Sequence, residues 1–218
     1  METEQQTVPV LDAEEIRVIG ALMEKSKTTP EYYPMTINGL TAACNQKTSR
    51  KPVVNYDEAT IVQILDRLKR KGLVSTATGS GIRSTKYKHN LALKFPFTPD
   101  ELAVLCLLFL RGPLTPGELN SNSGRLYEFD SLEEVQQVLE KLSAGETVFV
   151  KQLPRQSGQK EMRYMHLFGS ETLIEEYLAE PEAPAKVSTE LELRLSAVEL
   201  ELAELKAAFN ALMKELNG

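Results

Sequence analysis

Apolar side chains fall at helical spacing three times, then alternate through two short stretches, and the whole series then runs a second time. Ile16, Ile19, Gly20 and Met23 predict a helix from an Asp12 cap to about Lys27, with Glu14 and Glu15 in its first turn. A second helix is predicted from near Thr36 through Leu40 to about Asn45. Asp57 caps a third, with Ile61, Ile64, Leu65 and Leu68 on one face and Gly72 closing it. Residues 73–77 then read as a strand, 78–84 as a Gly-Ser loop and 85–91 as the returning strand.

The second series opens at Thr98, where Thr-Pro-Asp-Glu supplies a cap, an N1 proline and first-turn acids. Pro113 stops that helix after Gly112. Ser131 with Glu134 predicts a capping box for the third helix, which ends at Gly145. Strands are predicted at 147–153 and 162–168. The correspondence extends to particular residues: Ile64-Leu65-Asp66-Arg67-Leu68 returns as Val138-Leu139-Glu140-Lys141-Leu142, and Lys86-Tyr87-Lys88-His89 as Arg163-Tyr164-Met165-His166. Glu14-Glu15-Ile16 matches Asp100-Glu101-Leu102, and Thr36 to Leu40 matches Thr115 to Leu119. A unit this long is a duplicated domain rather than a solenoid repeat. The fold class is mainly α with small β wings (α+β). Two tandem winged helix-turn-helix domains at 10–94 and 95–170 lead through a connecting segment and Pro/Ala linker (171–187) to a C-terminal amphipathic, coiled-coil helix (188–217).

That last helix carries Leu191, Leu195, Val198, Leu202, Leu205, Phe209, Leu212 and Leu216 at alternating spacings of four and three. In a parallel homodimer Arg194 would meet Glu199 and Glu201 would meet Lys206 across the seam, both attractive pairs. A homodimer and an amphipathic helix folded back on its own domains both fit this pattern.

Net charge is −6, but it is unevenly spread. Residues 1–94 carry 14 basic and 10 acidic side chains, whereas 95–170 carry 7 and 10 and 171–218 carry 4 and 11. A local basic patch, not the total, steers a polyanion. The third helix of the first copy is the candidate reading element, with Gln63, Arg67 and Arg70 able to approach base edges or phosphates. Lys47, Arg50 and Lys51 precede it, and Arg83 and Lys86 belong to the wing beyond. In the second copy the same face shows Glu133, Glu134, Gln136, Gln137 and Glu140, which suits a protein partner better than duplex DNA.

Cys44 and Cys106 stand at non-matching positions in apolar helical runs and read as core residues. No His/Cys/Asp cluster has metal spacing, no glycine fingerprint cradles phosphate, and His89 and His166 are explained by duplication. The expectation is a non-enzymatic protein without a cofactor. An acidic, polar N-terminus without a signal-peptide pattern points to the cytoplasm. The longest apolar run, 102–110, is too short for a bilayer.

Thr36-Ile37-Asn38-Gly39-Leu40, leading into Cys44-Asn45-Gln46-Lys47-Thr48-Ser49-Arg50-Lys51-Pro52-Val53, resembles the YceH-like family of bacterial tandem winged-helix proteins. The third helix, Arg83 and Lys86-Tyr87-Lys88-His89 fit it as well. This resemblance covers roughly 10–170, and Asn-Gln-Lys-x-x-Arg-x-Pro-Val is its most specific part. It implies a duplicated winged-helix fold in a bacterial cytoplasm, and it carries over no catalytic or binding residues. The leading expectation is a DNA-binding protein acting as a transcriptional regulator. The alternative is an interaction scaffold that binds a protein through its second domain without touching DNA.

Overall fold

A computed structural model describes residues 8–77, 84–155 and 161–170, together with Thr172 and Glu175. The wing loop with Arg83, the linker and the heptad positions Leu191 to Leu216 lie outside the described residues.

The caps stand where the sequence offers them. Helix α1 (Ala13–Thr28) starts on Asp12, which accepts from the Glu15 amide at 2.8 Å while Glu15 accepts from Asp12 N–H at 3.0 Å. Helix α2 (Ile37–Cys44) is capped by Thr36 and α3 (Glu58–Arg70) by Asp57. Gly72 follows α3 in the left-handed region at φ 70°, where a Cβ would be strained. Strands β1 (Val74–Ala77) and β2 (Lys86–His89) form an antiparallel hairpin. The return strand ends two residues sooner than the alternation predicts. Asn90 donates its N–H to Leu73 O at 2.8 Å, and the chain turns into a one-turn helix, α4 (Leu91–Lys94), which buries Leu91.

The second half repeats the order with α5 (Pro99–Arg111), α6 (Pro116–Ser123), α7 (Leu132–Ser143), β3 (Val150–Gln152) and β4 (Tyr164–His166). Its capping box at α7 is only half formed. Ser131 accepts from Glu134 N–H, but the Glu134 carboxylate reaches past it to Asp130 N–H (2.8 Å) and the Tyr127 hydroxyl (3.0 Å). Both hairpins gain a third rung that periodicity does not reveal. Met35 pairs with Tyr87 in the first copy and Leu114 with Tyr164 in the second, each through two reciprocal backbone bonds. The described chain is thus α+β, seven helices with two two-stranded antiparallel sheets.

The copies are fused rather than strung together. Every residue from Glu15 to Met23 in α1 and from Ala103 to Leu110 in α5 is buried. Helices buried on all sides belong inside a core, Glu15 and Arg17 being held there by hydrogen bonds, and these two pack on each other within one compact unit, Met1–Ile174. The approach is close: a Cβ on Gly20 would stand 2.9 Å from Leu110 and 3.0 Å from Phe109. Cys106 Sγ donates to Gly20 O at 3.6 Å. Phe95, Phe97, Phe109, Phe149 and Phe168 form a ring cluster beside this seam, and Leu11 N–H donates to Phe168 O at 2.7 Å.

His89 and His166 occupy the same register, opposite Val74 and Val150. Burial lowers both imidazoles to about 4, helped at His89 by the Lys27 charge. The unfolded chain therefore binds protons between pH 6.5 and 4 that the folded chain refuses. Their contribution to stability is complete above pH 6.5 and is lost as pH falls toward 4. Thermal melts should show the fold weakened by about 1 kcal/mol per histidine at pH 5.5 relative to pH 7.5. The double replacement His89→Gln, His166→Gln should flatten that slope, and an equally steep slope in the variant would refute the assignment.

Candidate nucleic-acid interface

Helix α3 buries Ile61, Ile64, Leu65 and Leu68 against α1 and α2, so its other face is presented outward. Ala59, Val62, Gln63, Asp66, Lys69 and Arg70 are exposed there. Asp66, a carboxylate that would repel phosphate, is neutralised along the helix by Lys69 at 2.9 Å. The Lys69 ammonium also lies 5.5 Å over the Tyr87 ring, tying α3 to β2.

Two of the basic residues expected in this surface belong elsewhere. Arg67 reaches back to the start of α1, with Glu14 at 2.7 Å, Asp12 at 3.4 Å and Glu15 at 3.7 Å. Its duplicate, Lys141, holds Glu101 at 2.7 Å in the same way, so the contact is an inherited brace between first and third helices. Lys71 completes it by bonding Glu15 at 2.6 Å.

Arg50 is the larger correction, because its side chain is 0% exposed. It pairs with Glu24 through both guanidinium ends (3.1 and 2.6 Å) and donates to Ala43 O, Ser49 O and Gln46 Oε1. Burial alone would raise the Glu24 carboxyl, but the Arg50 hydrogen bonds and charge outweigh that and hold it below its ordinary value.

The long loop around Arg50 is therefore a packing device. Asn45 closes its neck by bonding Tyr56 O and Tyr56 N–H, at 2.7 and 2.8 Å. Arg17, 3% exposed, donates to Cys44 O and Pro52 O from below. Lys51 N–H donates to Leu110 O (2.8 Å) and Arg111 to Ser49 Oγ (2.8 Å), fastening the loop to α5. The Asn-Gln-Lys-x-x-Arg-x-Pro pattern thus encodes a clasp between the copies. Arg17 had no sequence signal, since nothing in a lone arginine on an apolar helix says which carbonyls it will meet.

What remains outward is Lys47, Lys51, Gln63 and Arg70, with Lys88 beside them and Lys86 half-buried. Lys86 differs instructively from its duplicate. Arg163 is held by Glu118 at 2.6 and 3.2 Å, whereas the residue matching Glu118 in the first copy is Gly39. Lys86 and Gly39 face a cleft of about 380 Å³ with Tyr32, Thr36, Gln46 and Glu31. On the second copy the equivalent helix exposes Glu133, Gln136, Gln137 and Glu140.

Among the described residues no group of three or more His, Cys, Asp and Glu side chains is placed to hold a metal, and no helix is long and apolar enough to cross a membrane. Both cysteines are buried and free, and burial raises the Cys44 thiol to about 12.

Fold and surface together define a duplicated α+β protein whose first copy turns Lys47, Lys51, Arg70 and Lys88 outward and whose second exposes Glu133 and Glu140 on its third helix. The chain belongs to the family described as protein of unknown function DUF480, which matches residues 11–159. It is 47% identical over 178 residues to a UPF0502 protein of Opitutus terrae, covering 81% of this chain and 77% of the relative. A UPF0502 protein of Shewanella loihica is 45% identical over 203 residues, covering 90% and 94%. The UPF0502 protein YceH of Escherichia fergusonii is 44% identical over 211 residues, covering 94% and 97%.

Proposed function

We propose that this protein is a non-enzymatic winged-helix DNA-binding protein of the cytoplasm, acting as a transcriptional regulator, with α3 and the β1–β2 hairpin of the first copy against the duplex. The observation that carries the reading is the difference between equivalent faces. Gln63, Arg70, Lys86 and Lys88 stand where the second copy has Gln137, Ala144, a salt-bridged Arg163 and Met165, and Glu133 there replaces Ala59 on the helix face. Phosphate contacts by such a surface release counterions, so affinity falls with salt in proportion to their number.

Anisotropy titrations of a labelled mixed-sequence duplex at several salt concentrations test it. The expected result is binding whose log–log salt slope drops by about 1 in Arg70→Ala and again in Lys88→Ala. Arg67→Gln, which removes only the brace to α1, should leave that slope unchanged. Absence of binding at low salt, or a slope changed by Arg67→Gln alone, would overturn the assignment.

A second reading, an interaction scaffold, draws on the cleft of about 340 Å³ between α7 and the second hairpin. There Leu132 and Met162 are 39% and 45% exposed beside Gln136, Glu140 and Glu161. This arrangement suits a basic peptide with one apolar anchor. Co-purification of a stoichiometric partner lost on Leu132→Asp, without DNA binding, would favour it. The heptad run adds homodimerisation, tested by the solution mass of the chain against one ending at residue 187.

A further inference from the structure

Where the two copies meet, α1 and β2 of the first and α5 of the second line a half-open pocket of about 320 Å³. Met23, Leu102, Ala103 and Leu126 give it apolar walls, and no carboxylate is among the residues lining it. The size lies within the range of roughly 300–1,000 Å³ found for small-molecule sites, which pair such walls with a few polar groups.

Lys27, Tyr33 and His89 join that lining, as do Ser26 and Cys106. The Tyr33 hydroxyl accepts from the His89 amide at 2.9 Å and so keeps its own proton to donate. Burial raises that phenol to about 12, and it stays protonated. His89 Nδ1 is buried with no hydrogen-bond partner. Nδ1 of His166, in the same register of the second copy, is buried and unpartnered in the same way. Ser26 is already committed to Met23 O and Cys106 to Gly20 O, which leaves Lys27 and the Tyr33 hydroxyl as the groups a ligand would meet.

We propose that this pocket binds a small monocarboxylate with an apolar body, the carboxylate on Lys27 and Tyr33 and the body against Met23, Leu102 and Leu126. A cation would be repelled by Lys27, and a hydrocarbon would leave the polar groups unmet. A carboxylate accepts from both the Lys27 ammonium and the Tyr33 hydroxyl. Both copies contribute walls, so the ligand brackets their junction, and the site stands whether or not α3 meets DNA.

The full-length protein, labelled with ¹³C at its methionine methyls, would be titrated with benzoate and hexanoate, and with benzamide as the uncharged analogue. Benzoate should shift the Met23 methyl saturably, leave Met162 still, and bind at least tenfold more tightly than benzamide. Lys27→Met, at an exposed position, should bring benzoate down to the benzamide level without altering Tm, and Tyr33→Phe should weaken it several-fold. No Met23 shift with either acid at millimolar concentration would overturn the site. Equal binding of benzamide, or an unchanged preference in Lys27→Met, would overturn the carboxylate assignment.

Discussion

Arg50→Ala is expected to destabilise the protein by about 3 kcal/mol, and by up to about 5, the range for breaking a buried charge pair by removing one partner. The guanidinium has no exposure and makes six hydrogen bonds, so its removal leaves the Glu24 carboxylate, itself 16% exposed, with Lys25 at 3.2 Å as its remaining ion pair among the described residues. Ala43 O loses both its donors from Arg50, and the loop loses its central post. Arg50→Lys keeps the charge but not the fork that spans Glu24 and Ala43, and should recover only part of the loss. Urea unfolding would show the midpoint fall with little change in slope. A loss within about 0.5 kcal/mol, as for an ordinary surface arginine, would return Arg50 to the list of phosphate contacts.

Gly20→Val should be nearly as damaging, for a steric reason. Even a bare Cβ would lie 2.9 Å from Leu110 Cδ2, a side-chain tip that can yield. It would also lie 3.0 Å from Phe109 Cβ, an atom fixed by backbone. Gly20→Ala gains about 1 kcal/mol of helix propensity against about 1–3 kcal/mol of overpacking, a net loss near 1 kcal/mol. Two further methyls in valine have nowhere to go except by prising α1 from α5, and about 3 kcal/mol is expected. Gly117→Ala serves as the control, since its nearest contact would be an ordinary 3.9 Å. Calorimetric unfolding of the three variants checks the order, and a Gly20→Val protein as stable as Gly117→Ala would show that the seam is looser than its geometry.

The helices were legible because their information is local. Asp12, Thr36, Asp57 and Thr115 each accept from an amide three residues on, and the apolar stripe of α3 follows from its period alone. The site was legible only in outline. Gln63 and Arg70 face outward as their angular positions require, but Arg50 and Arg67 carry the same charge and were expected beside them. Their partners lie 26 and 53 residues away, on α1, and charge along a chain does not say which carboxylate folding will bring. The all-apolar stretch of α5 was visible as a run. That its cover would be α1 depended on a glycine whose meaning appears only at 3 Å. The extra rungs at Met35 and Leu114 are single residues, too short to leave a period.

The contact between Cys106 and the Gly20 carbonyl has one more consequence. These two residues are each other's duplicates, both lying four residues past the paired Ile16 and Leu102. Equivalent positions therefore meet at the seam, where one helix packs on its own duplicate within a single polypeptide. The chain in this sense pairs with itself, yet the likeness stops at the backbone, because Ala59 and Arg70 of the first copy answer to Glu133 and Ala144 of the second. On the proposed reading a single chain can recognise only one half-site. A palindromic target would require two chains, and the seam between the copies would have no role in its spacing.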